Sequence, residues 1–356
     1  MSRRYLILAP GRFAIDAKTA HGVIRYGDDP VVAVVDPACA GKRVRDVLAH
    51  LNSDAPIVAS VAEGLQFEPT ALLIGTAPRG GALPPDWRRA VLEAIAARLE
   101  IVSGLHDMLD DDLEFRAAAM RARTVIWDVR KPPDVPLFGG AVYDVEAPVL
   151  LTVGNDCAVG KMSVALEIVR AARAAGRPGA RFVPTGQTGI MIAGWGISVD
   201  RVVADFAPGA AEQLVLYAAR EGGDPIVVEG QGAINHPAYA PVTLALMYGS
   251  APDALILVCD PSRTRIEDYP TPVLGYRELV AIHEGLLATV KPAKVAGIAL
   301  NTRGLTDERA HTEIERARRE SGLPADDVVR FGASDFYAAI APQVVKRAPL
   351  RAGDSA

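Results

Sequence analysis

An α/β protein with two parallel-sheet domains is the fold class this sequence predicts, and three observations predict it. The chain has 356 residues, a length that at ~100–200 residues per domain suggests two full cores. Short runs of Val, Ile, Leu and Ala alternate with helical patterns along it, as a sheet covered by crossover helices requires. Between Trp127 and Pro148 the alternation breaks into a stretch with four prolines and two glycines, where a regular element is not expected.

The predicted organisation is therefore a domain at 1–126, a junction at 127–148 and a second domain at 149–356. In the first, Tyr5–Ala9, Val31–Val35, Ile57–Ala59, Ala71–Ile74 and Ile101–Ser103 read as strands. Asp86–Leu99 has the apolar spacing of an amphipathic helix, and a second helix is expected from about Leu105 past Phe115. Asp110, Asp111 and Asp112 inside that segment read as a solvated acidic turn. In the second domain the strands are Val149–Val153, Arg181–Pro184, Pro225–Glu229, Ala254–Cys259, Lys294–Leu300 and Val328–Phe331. The helices are Lys161–Ala175, Gly209–Arg220, Tyr276–Ala288 and Asp307–Ser321.

Composition narrows the function. Lys and Arg number 38 against 43 Asp and Glu, a net charge of −5, and no basic cluster stands out, so neither nucleic acid nor an anionic membrane is expected as partner. Half the residues are hydrophobic, but no run approaches the ~18 needed to cross a bilayer. The three cysteines, Cys39, Cys157 and Cys259, are far apart and form no C-x-x-C pair, which fits the cytoplasm and offers no zinc pattern. No metal site is expected, and a homo-oligomer is compatible with these properties.

The segment Leu150–Ser163 carries the most chemistry: an apolar strand, a loop bounded by Gly154 and Gly160, then Lys161 at the start of a helix. Backbone N–H groups converge on an anion in such a loop, the helix start adds positive potential, and the lysine supplies a charge. With seven lysines in the whole chain, one directly after Gly160 is not surface decoration. Gly154, Asn155, Asp156, Cys157, Ala158, Val159, Gly160, Lys161, Met162 and Ser163 are therefore the expected cofactor-binding residues. The loop departs from G-x-x-x-x-G-K-[ST] by one extra residue and by Met162 where a magnesium-binding hydroxyl belongs. Cys157 reads as a small residue of a tight turn rather than a nucleophile.

Further on, Ile226–Val228 runs into Glu229, a carboxylate at a strand end where metal ligands and bases sit in such folds. His236 follows in a Gly/Pro-rich loop. Glu229 and His236 are the expected catalytic pair. Gln187, Thr188 and Gly189, after the Arg181–Pro184 strand, suit a backbone that approaches a ligand closely. Asp205 is a weaker candidate as a metal ligand or cap. Arg79, Arg130 and Arg263, at strand ends or in the junction, could fork onto a carboxylate; His106 also stands at a strand end.

With these residues in hand, the chain resembles a two-domain P-loop family long described as a domain of unknown function, some members of which are D-glutamate N-acetyltransferases. The likeness spans Lys18–Tyr26 (KTAHGVIRY), Ala77–Gly81 (APRGG), Ile101–His106 (IVSGLH), Gly154–Ser163 (GNDCAVGKMS), Gly186–Gly189 (GQTG), Val228–Gly232 (VEGQG) and His236–Tyr239 (HPAY). It implies a Rossmann-like N-terminal domain and a P-loop NTPase-like C-terminal one, with acetyl-CoA as acyl donor and the amino acid D-glutamate as acceptor in D-amino-acid catabolism. On that reading Glu229 or His236 is the base, loop amides around Gly186–Gly189 hold the oxyanion, and the arginines orient the acceptor.

The main alternative is an ATP- and magnesium-dependent carboxylate-activating ligase, since the loop also resembles that of dethiobiotin synthetase. A nucleotide-sensing module without turnover is a third reading. An NAD-dependent epimerase is disfavoured because no G-x-G-x-x-G follows the first strand.

Overall fold

The computed structural model describes residues 3–76 and 81–349. They form two compact units. The first runs to Pro132 and also takes in Gln187–Ser198; the second comprises Pro133–Gly186 and the described chain from Val199 on.

In the first unit the elements are β1 (Tyr5–Leu8), α1 (Lys18–Tyr26), β2 (Val31–Val35), α2 (Val44–Val47), β3 (Ile57–Val58), α3 (Val61–Gly64), β4 (Ala71–Ile74), α4 (Arg88–Ala96), β5 (Glu100–Ser103), α5 (Leu113–Ala122) and β6 (Ile126–Asp128). All six strands are parallel, in the order β3-β2-β1-β4-β5-β6, which is the Rossmann order. Alternate side chains of each strand enter two separate cores. Tyr5, Ile7, Val34, Leu73 and Val102 face Phe13, Ala20 and Val23, while Leu6, Leu8, Leu72, Ile74 and Ile101 face Val91, Ile95 and Phe115.

The second unit contains β7 (Val149–Gly154), α6 (Lys161–Ala174) and β8 (Arg181–Val183), after which α7 (Gln187–Ala193) passes to the first unit. It continues with α8 (Ala207–Arg220), β9 (Ile226–Val228), α9 (Ala240–Gly249), β10 (Ala254–Cys259), α10 (Tyr276–Leu287), β11 (Lys294–Leu300), α11 (Asp307–Ser321), β12 (Ala325–Asp326) and α12 (Ser334–Ile340). Its sheet is again parallel, in the order β12-β11-β10-β7-β9-β8. β7 and β10 are buried on both faces, so they read as unbroken apolar runs rather than alternating ones.

The unit boundary differs from the sequence expectation in two places. Trp127 lies within β6, paired with Val102, so the irregular segment begins after that strand. The segment after Pro132 is irregular as expected, apart from one 3-10 turn at Ala141–Asp144. It is held down by α8, where the buried Glu212 accepts hydrogen bonds from Gly139 N (2.6 Å) and Val142 N (3.2 Å). The second difference is α7, whose start reads from sequence as a loop approaching a ligand: it is helical from Gln187, and Ile190 and Met191 carry it into the core beneath α1.

Candidate functional site

The chain leaves β7 at a topological switch point, with β10 on one side and β9 on the other, where open α/β sheets bind ligands. Asn155 fixes the start of the loop there. Its N–H donates to Val258 O (3.1 Å), and its side chain exchanges hydrogen bonds with the backbone of Asp260 (3.3 and 3.2 Å). Ala158 (φ +56°) and Gly160 (φ +107°) then take left-handed conformations, the geometry that turns successive N–H groups toward one point. Asn301 holds the far wall through Nδ2 to Val159 O (3.1 Å). The backbone N–H groups from Ala158 to Ser163 have no acceptor among the described residues, so the loop presents a run of unpaired donors at the start of α6.

Lys161 is buried among them. Its ammonium donates to Asp156 O (2.8 Å), and burial lowers its pKa to about 8. Asp156 is fully buried and ties the loop to the segment after β10. One of its oxygens accepts from Cys157 N (2.6 Å); the other accepts from Glu267 N (2.9 Å) and forms an ion pair with Arg263. Burial raises the Cys157 thiol, opposite to what a nucleophilic thiolate needs.

His236, also buried, reaches the same place. Its Nε2 lies 3.9 Å from Asp156 Oδ1, while Nδ1 accepts the N–H groups of Ala238 (3.1 Å) and Tyr239 (3.3 Å). The rings of Tyr239 and Tyr269 flank it, with centroids 4.6 and 5.2 Å away. Ligand atoms of Asp156, Cys157 and His236 fall within 4.8 Å of one another, yet the group is poorly made for a cation. Both Asp156 oxygens are committed, and an imidazole whose Nδ1 is an acceptor keeps its proton on Nε2.

Glu229, one residue past β9, leans the other way. Oε2 accepts from Thr185 N (2.9 Å) and Gly186 N (3.1 Å) at the end of β8, and Thr185 Oγ1 donates to Glu229 O (2.8 Å). Burial pushes the carboxyl up to about 7 against the pull of those amides and of Lys161. A carboxyl held near neutrality in a polar, pre-shaped corner can take a proton at physiological pH. Gly230 lets this arrangement close, since a Cβ there would stand 1.6 Å from Thr152 O.

Two family models cover most of the chain. One, described as a domain of unknown function with a P-loop domain, matches residues 136–337, and its partner, with a Rossmann-like domain, matches 37–132. The chain belongs to the DUF1611 family. It is similar to a DUF1611 protein of known crystal structure from Anabaena variabilis, at 36% identity and a TM-score of 0.90, over 96% of this chain and 100% of that one. It is also 37% identical over 342 residues to a protein of Tritonibacter scottomollicae named D-glutamate N-acetyltransferase, covering 94% of this chain and 97% of the relative. A Pseudoalteromonas protein of the same name is 34% identical over 286 residues, 78% of this chain and 83% of that protein.

In this DUF1611 chain, the second unit brings together Gly154–Ser163, Glu229, His236 and Arg263. Arg263 is not free for a substrate carboxylate, being engaged by Asp156, Asp260 and Glu267. The Gly186 amide expected to hold an oxyanion is already donated to Glu229. Gln187, Thr188 and Gly189 belong to the first unit, where Thr188 Oγ1 sits 3.0 Å from Thr19 Oγ1. Arg130 is in the first unit as well, its Nε donating to Gly104 O (2.8 Å), and Arg79 lies outside the described residues. Asp205 falls in a 3-10 turn leading into α8.

Sequence reasoning does not single out Gln231 or Tyr269, and takes Thr185 only as the start of the Thr185–Gly189 segment. Gln231 Nε2 donates to Thr185 O (2.5 Å) and braces the Glu229 corner. Thr185 and Gln231 sit inside motifs that were legible; Tyr269, in the irregular segment after β10, left no pattern to find. No described helix is long and apolar enough to cross a membrane.

Proposed function

We propose that this protein is an N-acetyltransferase that moves the acetyl group of acetyl-CoA to the amino group of D-glutamate. The observation that carries this reading is the row of unpaired amides from Ala158 to Ser163, with Lys161 among them. Next to that anion cradle, Glu229 is held near neutrality. Coenzyme A offers phosphates to the first and, at the far end of a long arm, a thioester to the second. The shared name of the Tritonibacter and Pseudoalteromonas relatives supports the same reading.

Glu229 serves as the base. It follows β9, the strand beside β7, and its Oε2 is turned to the amides after β8, while its charge still feels Lys161 of the phosphate loop. A thioester carried beyond the phosphates along this side of the sheet can reach it. The neutral amine attacks the thioester carbonyl, Glu229 takes the proton the nitrogen loses, and the thiolate that leaves is protonated in turn. Transfer consumes no nucleotide, so Met162 at the hydroxyl position is no defect.

The ligase alternative would need Glu229 as a magnesium ligand. One of its oxygens is already taken by two amides, and Met162 stands where the loop's own hydroxyl ligand belongs. The test is thiol release from acetyl-CoA over a panel of D- and L-amino acids, without ATP. D-Glutamate should give turnover, and Lys161→Ala and Glu229→Gln should each lower kcat/KM at least 100-fold. ADP formation that requires magnesium, with no thiol released, would replace this reading by ligation.

A further inference from the structure

Sequence reasoning leaves His236 and Glu229 as interchangeable bases, and the structure separates them. The His236 ring is buried, and two backbone N–H groups, from Ala238 and Tyr239, point at Nδ1. A nitrogen that accepts two hydrogen bonds has its lone pair in use, so the one proton of the neutral ring sits on Nε2. Nε2 makes no hydrogen bond among the described residues, and its nearest charged neighbour, Asp156 Oδ1 at 3.9 Å, is beyond hydrogen-bond distance. Asp156 is a phosphate-loop residue, and the His236 ring also brings a nitrogen within 4.8 Å of Cys157 Sγ, so the imidazole stands against the phosphate loop itself. The other titratable or charged groups facing the ring are Tyr239, Tyr269 and, across Asp156, Arg263.

We propose that His236 is an anion-binding residue: its Nε2–H donates to the phosphate held by the amides of Ala158–Ser163, and it takes no proton from the substrate. This deepens the acetyl-transfer reading and rests on it for the identity of the phosphate. The coenzyme's pantetheine arm is many bonds long, so a group that touches the loop cannot also touch the thioester while the phosphates occupy the loop. Glu229 hydrogen-bonds to the amides after β8 rather than to those of the loop. The flanking tyrosine rings and the two amides fix the imidazole plane, which lets a neutral donor act without losing rotamer freedom on binding.

The test compares acetyl-CoA with S-acetylpantetheine, which carries the same thioester and no phosphate. His236→Ala should weaken coenzyme A binding about 10- to 100-fold, the loss of one hydrogen bond to a charged group. The loss of kcat/KM with S-acetylpantetheine should be at least 10-fold smaller than the loss with acetyl-CoA. His236→Gln, which restores a donor at the Nε2 position, should recover most of the affinity, and the ascending limb of the pH–rate profile should stay where the parent has it. Equal losses of kcat with both donors, together with a displaced limb, would make His236 the base and overturn the proposal. If the parent neither binds coenzyme A nor releases thiol, the acetyl-transfer reading fails by itself. His236 is then judged on inorganic pyrophosphate, and identical titrations of the parent and His236→Ala with that probe would overturn the assignment.

Discussion

A carboxyl raised by burial makes stability depend on pH, and Glu229 shows how. Its pKa moves from 4.5 in the unfolded chain to about 7 in the fold. Between those values the native state holds a proton that the unfolded state has released, so raising the pH through this window removes stability. The loss is complete once the folded carboxyl ionises, and its size is about 3 kcal/mol. Glu229→Gln keeps an oxygen for the Thr185 and Gly186 amides and has no charge to bury. Thermal denaturation should show the variant gaining on the parent from pH 4.5 to 7 and holding a constant margin above that. Its activity should be lost across the whole range. A margin independent of pH would mean that burial does not raise this carboxyl.

Two glycines in helices of the second unit show how far an element depends on what it packs against. A Cβ at Gly209 in α8 would stand 2.0 Å from Pro136 O, whereas at Gly285 in α10 it would meet nothing within 4 Å. Gly209→Ala should cost about 1–3 kcal/mol through overpacking and expose the Pro133–Pro148 segment to protease. Gly285→Ala should stabilise by up to about 1 kcal/mol through helix propensity alone. Melting curves and limited proteolysis read both.

The same dependence on context marks what could be read from sequence. Strands buried on both faces and amphipathic helices were legible, because their pattern is their environment. α9 was not: residues Ala240–Gly249 are apolar almost throughout and show no stripe. α7 was hidden by its glycine and polar start, and forms because Ile190 and Met191 find a core. The expected strand at Val328–Phe331 is instead a turn, because Asp327 Oδ1 accepts from Val329 N and Arg330 N and bends the chain after β12. The helix expected from Leu105 starts only at Leu113, where Asp112 caps it through Glu114 N and Phe115 N. At the site, the loop and Glu229 followed from strand–loop–helix order, while the commitment of Arg263 and the His236 tautomer depend on partners more than 100 residues away or on local backbone bends.

At the scale of the whole molecule, two parallel sheets offer two switch points, and their backbone amides distinguish them. In the second unit the loop after β7 leaves its amides unpaired. In the first unit the loop after β1 does not: Asp36, at the end of β2, accepts from Gly11 N (2.9 Å), Phe13 N (3.1 Å) and Ala38 N (3.0 Å). In dinucleotide-binding folds an acid at this position reads a ribose, and the β1 loop amides hold a pyrophosphate. Here the acid is already hydrogen-bonded to that loop, so the Rossmann topology persists without its usual donors. A ligand that binds only the native state stabilises it by RT ln(1 + [L]/Kd), about 2.7 kcal/mol at a hundredfold excess over Kd. Coenzyme A should therefore raise the melting temperature in proportion to its logarithm, and the rise should vanish in Lys161→Ala. NAD should produce no rise at the same concentrations. A rise with NAD that survives Lys161→Ala would place nucleotide binding at the first switch point and show that Asp36 yields its amides to a ligand.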